Sequence, residues 1–84
     1  MTNKDILKKQ LIYRSTHRGT KEMDLLLGNF AKKNINYFNN SELNDLNKLL
    51  QINDDILKKW YFEKKNKKLL PVNRVSLLLK DFKF

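Results

Sequence analysis

Residues 20–34 read TKEMDLLLGNFAKKN, and their spacing decides what kind of element this chain is built from. Met23, Leu26, Leu27, Phe30 and Ala31 fall at i, i+3, i+4, i+7 and i+8, the period of a helix with one apolar face. Thr20 stands ahead of the run as a helix cap. Glu22 and Asp24 fall in the first turn, where the free N–H groups and the macrodipole favour carboxylates by about 0.3–1 kcal/mol each. Gly28 sits inside the helix at a cost of about 1 kcal/mol relative to alanine, which predicts that another backbone passes close by.

The same period extends in both directions. Towards the N-terminus it predicts a first helix from about Asn3 to Ser15, capped by Thr2 or Asn3, with Ile6, Leu7 and Leu11 along one side and Gln10 at its border. THRG, residues 16–19, interrupts it. Towards the C-terminus, NINYFNNSE (34–42) is a connector ending in a cap at Asn40 or Ser41. A third helix to about Leu50 then buries Leu43, Leu46, Leu49 and Leu50. QINDD (51–55) closes it and opens a fourth, capped by Asn53 or Asp54, with Ile56, Leu57, Trp60 and Tyr61 on one face. EKKNKK (63–68) reads as a solvated basic run, and Pro71 marks a last segment. There Val75, Leu78, Leu79 and Phe82 are spaced for a fifth helix from Arg74 to about Lys83. The expectation is an all-α fold, a small single-domain bundle of four to five short helices over residues 1–84, without internal repeats.

Composition narrows the chemistry. The 84 residues carry no cysteine and a single histidine, so disulfide staples, a thiolate metal site and a histidine-based metal centre are excluded. A chain of this size buries only about two-thirds of its unfolded surface, yet 40% apolar residues allow it to close without such help. The first residues, MTNKDILKK, place charges where a signal peptide has its apolar run, and no apolar stretch approaches the roughly 18–20 residues that span a bilayer. A cytoplasmic protein without membrane insertion is expected.

The net charge of +9 invites a nucleic-acid reading, with residues 58–68 as the surface. Lysine and asparagine, fifteen and eleven of the 84 residues, share A/T-rich codons, so codon bias accounts for much of the charge. No recognition-helix pattern supports that alternative. Where such a chain keeps arginine instead, at Arg14, Arg18 and Arg74, a planar five-donor fork is the expected reason.

Two of those arginines lie in RSTHRGTKEMD (14–24). Arg14 and Arg18 are four apart and would share a face on a continued helix. Gly19 follows at the corner, where glycine tolerates positive φ and lets another molecule approach the backbone. Arg18 and Glu22 bracket it, and Asp24 lies among apolar neighbours where a carboxylate needs a partner. The bland alternative is a capped corner with incidental charges.

HRGTKEMD resembles the R-G-x-x-E-x-D signature of the SdhE family, the flavoprotein assembly factors of succinate dehydrogenase. The wider YRSTHRGTKEMDLLLGNFA and the downstream LNDLNKLLQINDDILKKWYF, with its D-D corner and aromatic helix, fit the same family over about residues 4–63. No resemblance is found from Lys64 onward. His17 stands where some members have a second arginine.

The resemblance implies a helical bundle that is not an enzyme and holds no tightly bound cofactor of its own. It would bind the flavoprotein subunit of succinate dehydrogenase or fumarate reductase and promote covalent attachment of the FAD held there. A differential of about 1.4 kcal/mol for the reactive arrangement would raise its population tenfold. The partner-binding residues implied are Arg14, Arg18, Gly19, Glu22 and Asp24. Arg18 would offer its fork outward and Gly19 a bare main chain. His17 and Trp60 are secondary candidates, Trp60 fitting a core position better. The free protein is expected to be a monomer that binds no nucleic acid.

Overall fold

Helix α1 (Asn3–Thr16) and helix α2 (Lys21–Asn34) form an antiparallel pair joined by a four-residue corner, and the rest of the chain packs on that pair. The structure is a computed structural model and describes residues 2–63 and 70–83. After α2, a single 3₁₀ turn (Ile35–Tyr37) leads to α3 (Asn40–Leu50), which packs on α1. A short α4 (Asp54–Lys58) follows, widening into a π-helical turn (Lys59–Glu63). The last helix, α5 (Arg74–Asp81), lies against α3. Among the described residues there is no strand. The Cα trace measures 41 × 25 × 20 Å.

The five apolar positions of α2 are all buried, together with Gly28. They form the centre of one core with Leu11, Ile35, Phe38, Leu43, Leu46, Leu49, Leu50, Leu57, Trp60, Leu70, Val75 and Leu79. The glycine has the expected cause. A Cβ on Gly28 would lie 2.9 Å from Thr16 Cγ2 and 3.8 Å from the Ser15 carbonyl oxygen, so α1 crosses α2 at this glycine. Ser15 is itself buried there, its hydroxyl donating to the Leu11 carbonyl at 2.7 Å.

Side-chain oxygens start the helices. Thr2 and Asn39 build reciprocal capping boxes with Asp5 and Glu42, and Thr20, Asn53 and Asn73 cap α2, α4 and α5. For α3 this moves the cap from the expected Asn40 or Ser41 to Asn39. Phe38 enters the core in an extended conformation just before it, so the chain turns one residue earlier than composition suggests.

Three expected core positions face out. Ile6, Ile56 and Leu78 are 43%, 39% and 37% exposed. Each lies on the flank of its helix, and these short helices are covered on one side only. The fourth helix also ends as an α-helix at Lys58, where regular turns to Tyr61 were expected. The wider turn carries Trp60 into the core and brings the Tyr61 hydroxyl to the Phe82 carbonyl, to which it donates. Phe82 packs edge-on against Phe30 at 5.5 Å between ring centres, with Lys33 Nζ 5.9 Å from its own centre. The C-terminal segment is thus tied to α2. The basic run at residues 64–68 lies outside the described residues.

Candidate functional site

The corner between α1 and α2 (residues 17–20) faces the corner between α3 and α4 (residues 51–53), and Arg18 joins them. α1 ends at Thr16, so Arg18 lies beyond the helix and does not share a face with Arg14. Arg18 Nε donates to Asp54 Oδ1 at 2.9 Å, and Nη2 lies 2.6 Å from the same oxygen. Nη1 donates to the Leu50 carbonyl at 2.6 Å and Nη2 to the Ile52 carbonyl at 3.1 Å. Leu50 is the last residue of α3, whose final carbonyls lack intrahelical partners and favour a cation, and Ile52 lies in the corner just beyond it. The guanidinium therefore caps α3 and pairs with the first residue of α4 in one contact.

The other expected residues fall into two groups. Asp24 turns inward and accepts the Arg18 backbone N–H, which is the partner its setting required. Gly19 is exposed, but its N–H donates to Asp54 Oδ2 at 2.9 Å. Its φ lies outside the left-handed region, and a Cβ here would sit 3.2 Å from that same oxygen. Close approach, rather than positive φ, accounts for the glycine. Glu22 is exposed, with Lys58 Nζ of α4 3.9 Å away. His17 is exposed and stacks on Tyr13 at 3.9 Å between ring centres, its Nδ1 lying 2.8 Å from the Tyr13 carbonyl.

Arg14 reaches α3 instead, donating to Asn47 Oδ1 at 2.6 Å. One expectation is thereby corrected. Arg18 does not hold out a free fork, because a side chain that is 11% exposed has its donors engaged within the chain. Trp60 is a core residue, 7% exposed, the placement that its spacing with Ile56 and Leu57 favoured over a contact with a partner. Arg74 lies far from the corner, its Nε 3.1 Å from Glu42 Oε2. The approach lacks hydrogen-bond alignment, so charge alone links α5 to α3 there.

The residue that composition and motif missed is Asp54. Its D-D corner and its place at a helix start were visible in the sequence. Its pairing with Arg18, thirty-six positions away, had no local signal. Together the two corners border an open concavity of about 460 Å³, lined by His17, Gly19, Thr20, Gln51, Asn53 and Asp55 among others. Its wall carries the Arg18 guanidinium beside the Asp54 and Asp55 carboxylates.

The signature residues of this small helical bundle thus knit two corners together, with Gly19 exposed between them. The chain belongs to the family described as flavinator of succinate dehydrogenase, whose model matches residues 9–83. The match therefore continues past Lys64, where the sequence alone showed no resemblance.

Among the relatives, succinate dehydrogenase assembly factor 2, mitochondrial, of Dictyostelium discoideum is 47% identical over 58 residues, covering 69% of this chain and 41% of that protein. The protein of the same name from Scheffersomyces stipitis is 42% identical over 69 residues, 81% of this chain and 44% of its own length. The FAD assembly factor SdhE of Acetobacter pasteurianus is 36% identical over 55 residues, 66% and 50% respectively. The chain spans half or less of the length of these relatives. No solved structure matches it. Among the described residues no helix is long and apolar enough to cross a membrane.

Proposed function

We propose that this chain is an assembly factor that binds the flavoprotein subunit of succinate dehydrogenase, or of fumarate reductase, and promotes covalent attachment of FAD to it. The observation that carries the reading is the family match over residues 9–83, with the R-G-x-x-E-x-D residues gathered at one corner. Bond formation belongs to the flavin and the subunit, and this chain supplies position. In this reading FAD stays with the subunit, and this chain holds none of its own.

The contact surface in this reading is the outward part of the corner: His17, the Gly19–Thr20 main chain and Glu22, with Arg18 and Asp24 as the frame that holds it. The free chain acts as a monomer and meets its client in the cytoplasm. The nucleic-acid alternative draws no support from the relatives, which carry assembly-factor names.

Co-expression with the flavoprotein subunit in a host lacking its own factor, followed by flavin fluorescence in a denaturing gel, tests the reading. Glu22→Ala is the clean probe. An exposed ion pair contributes about 0–1 kcal/mol, so the fold should survive while fluorescence and capture of the subunit fall. Gly19→Arg should abolish both. Full flavinylation and capture with Gly19→Arg, or no effect of the wild-type chain, overturns the proposal.

A further inference from the structure

We infer that Asp54 is the positioning residue of the docking corner. Its one carboxylate fixes Arg18 and the Gly19 N–H together, and so sets where the exposed main chain stands. The inference rests on the docking reading above and adds to it a residue from the opposite corner.

Arg18 alone does not require this geometry, since the Leu50 carbonyl of α3 and the Ile52 carbonyl of the next corner already accept from it. Asp54 nevertheless takes two of its N–H vectors on Oδ1 and turns Oδ2 to the Gly19 amide at 2.9 Å. That second oxygen is also the atom a Cβ at position 19 would meet at 3.2 Å. The glycine and the carboxylate thus specify one another: a side chain at 19 would push the acid away, and loss of the acid would free the amide.

Three ties then hold residues 18–20 in one shape. They are the Arg18 N–H on Asp24, the Gly19 N–H on Asp54, and the Thr20 hydroxyl accepting from the Met23 N–H. Asp54 is only 24% exposed, so it acts mainly through Gly19 and Arg18. Preordering of this kind lowers the cost of binding, because the loop need not be fixed at the moment of contact.

The test uses the whole isotope-labelled chain and purified flavoprotein subunit. Asp54→Asn keeps the volume but replaces one carboxylate oxygen with an NH₂ donor, so it cannot satisfy Arg18 and Gly19 together. Asn39→Ala, which removes a helix cap at the far end of α3, serves as a comparably destabilised control. With both variants folded at the assay temperature, Asp54→Asn should speed Gly19 amide exchange and weaken subunit binding by about tenfold each. Asn39→Ala should bind like the wild type.

Equal affinity of Asp54→Asn and wild type, or equal weakening by the two variants, overturns the inference. So does an Asp54→Asn chain that does not fold, since the residue would then serve the fold alone. Failure of the wild type to bind the subunit overturns the docking reading instead, and with it this inference. A normal Gly19 amide in Asp54→Asn counts against the inference whatever the subunit does.

Discussion

Arg18 carries five N–H donors in a planar fork, and four contacts to three acceptors use that plane. A lysine keeps the charge but presents a point donor on a flexible stem, so it can hold Asp54 or the Leu50 and Ile52 carbonyls and not both. Arg18→Lys should therefore cost about 1–3 kcal/mol, read as a lower urea midpoint with an unchanged slope. Arg14, with its single exposed bond to Asn47, should lose less than about 1 kcal/mol on replacement by alanine. The sequence marked both arginines by their rarity among lysines. It could not separate their roles, because the acceptors of Arg18 lie 32 to 36 residues downstream and no local spacing encodes them.

At the level of the helices, the α1–α2 crossing is set by atoms rather than by propensity. Gly28→Ala should gain about 1 kcal/mol of helix propensity, yet its methyl group would meet Thr16 Cγ2 at 2.9 Å. Thr16 cannot swing aside cheaply, because its hydroxyl donates to the Ile12 carbonyl at 2.9 Å. Overpacking costs about 1–3 kcal/mol, so the single variant should be destabilised. In a Thr16→Ser background, which keeps the hydroxyl and removes the methyl, Gly28→Ala should become neutral or stabilising. Paired thermal melts of the two backgrounds check the change of sign. This crossing was legible as an odd glycine on an apolar face. The widening after Lys58 was not, because the i, i+4 spacing of Ile56 with Trp60 and of Leu57 with Tyr61 reads the same whether or not the turn loosens.

Taken as a whole, the molecule closes through its C-terminal segment, where Phe82 lies on Phe30 and its carbonyl accepts the Tyr61 hydroxyl. Burial raises the Tyr61 pKa above its ordinary 10.0. A folded pKa above the unfolded one favours the neutral phenol in the folded chain. Its contribution is fully present below the unfolded pKa and fades as pH rises through the folded one. Stability should thus decline in the alkaline range, and Tyr61→Phe should remove that part of the decline while losing about 1 kcal/mol at neutral pH. Chemical denaturation of both proteins across alkaline pH makes the comparison.

At this scale the helical class and most of the core were readable from period alone, since a helix face shows itself within a dozen residues. How the segments meet depends on contacts between residues far apart in sequence, such as Tyr61 with Phe82 and Arg18 with Asp54. The acids and the arginine were visible, but nothing local said that they would satisfy one another.

The unequal exposure of the arginines gives the chain a built-in chemical clock. A dicarbonyl reagent selective for guanidinium should label Arg74 at once, since its side chain is 75% exposed, and reach Arg18, at 11%, only when the two corners part. The lag between the two adducts, followed by mass spectrometry, therefore measures how often this junction opens, and a bound client that clamps it shut should lengthen the lag.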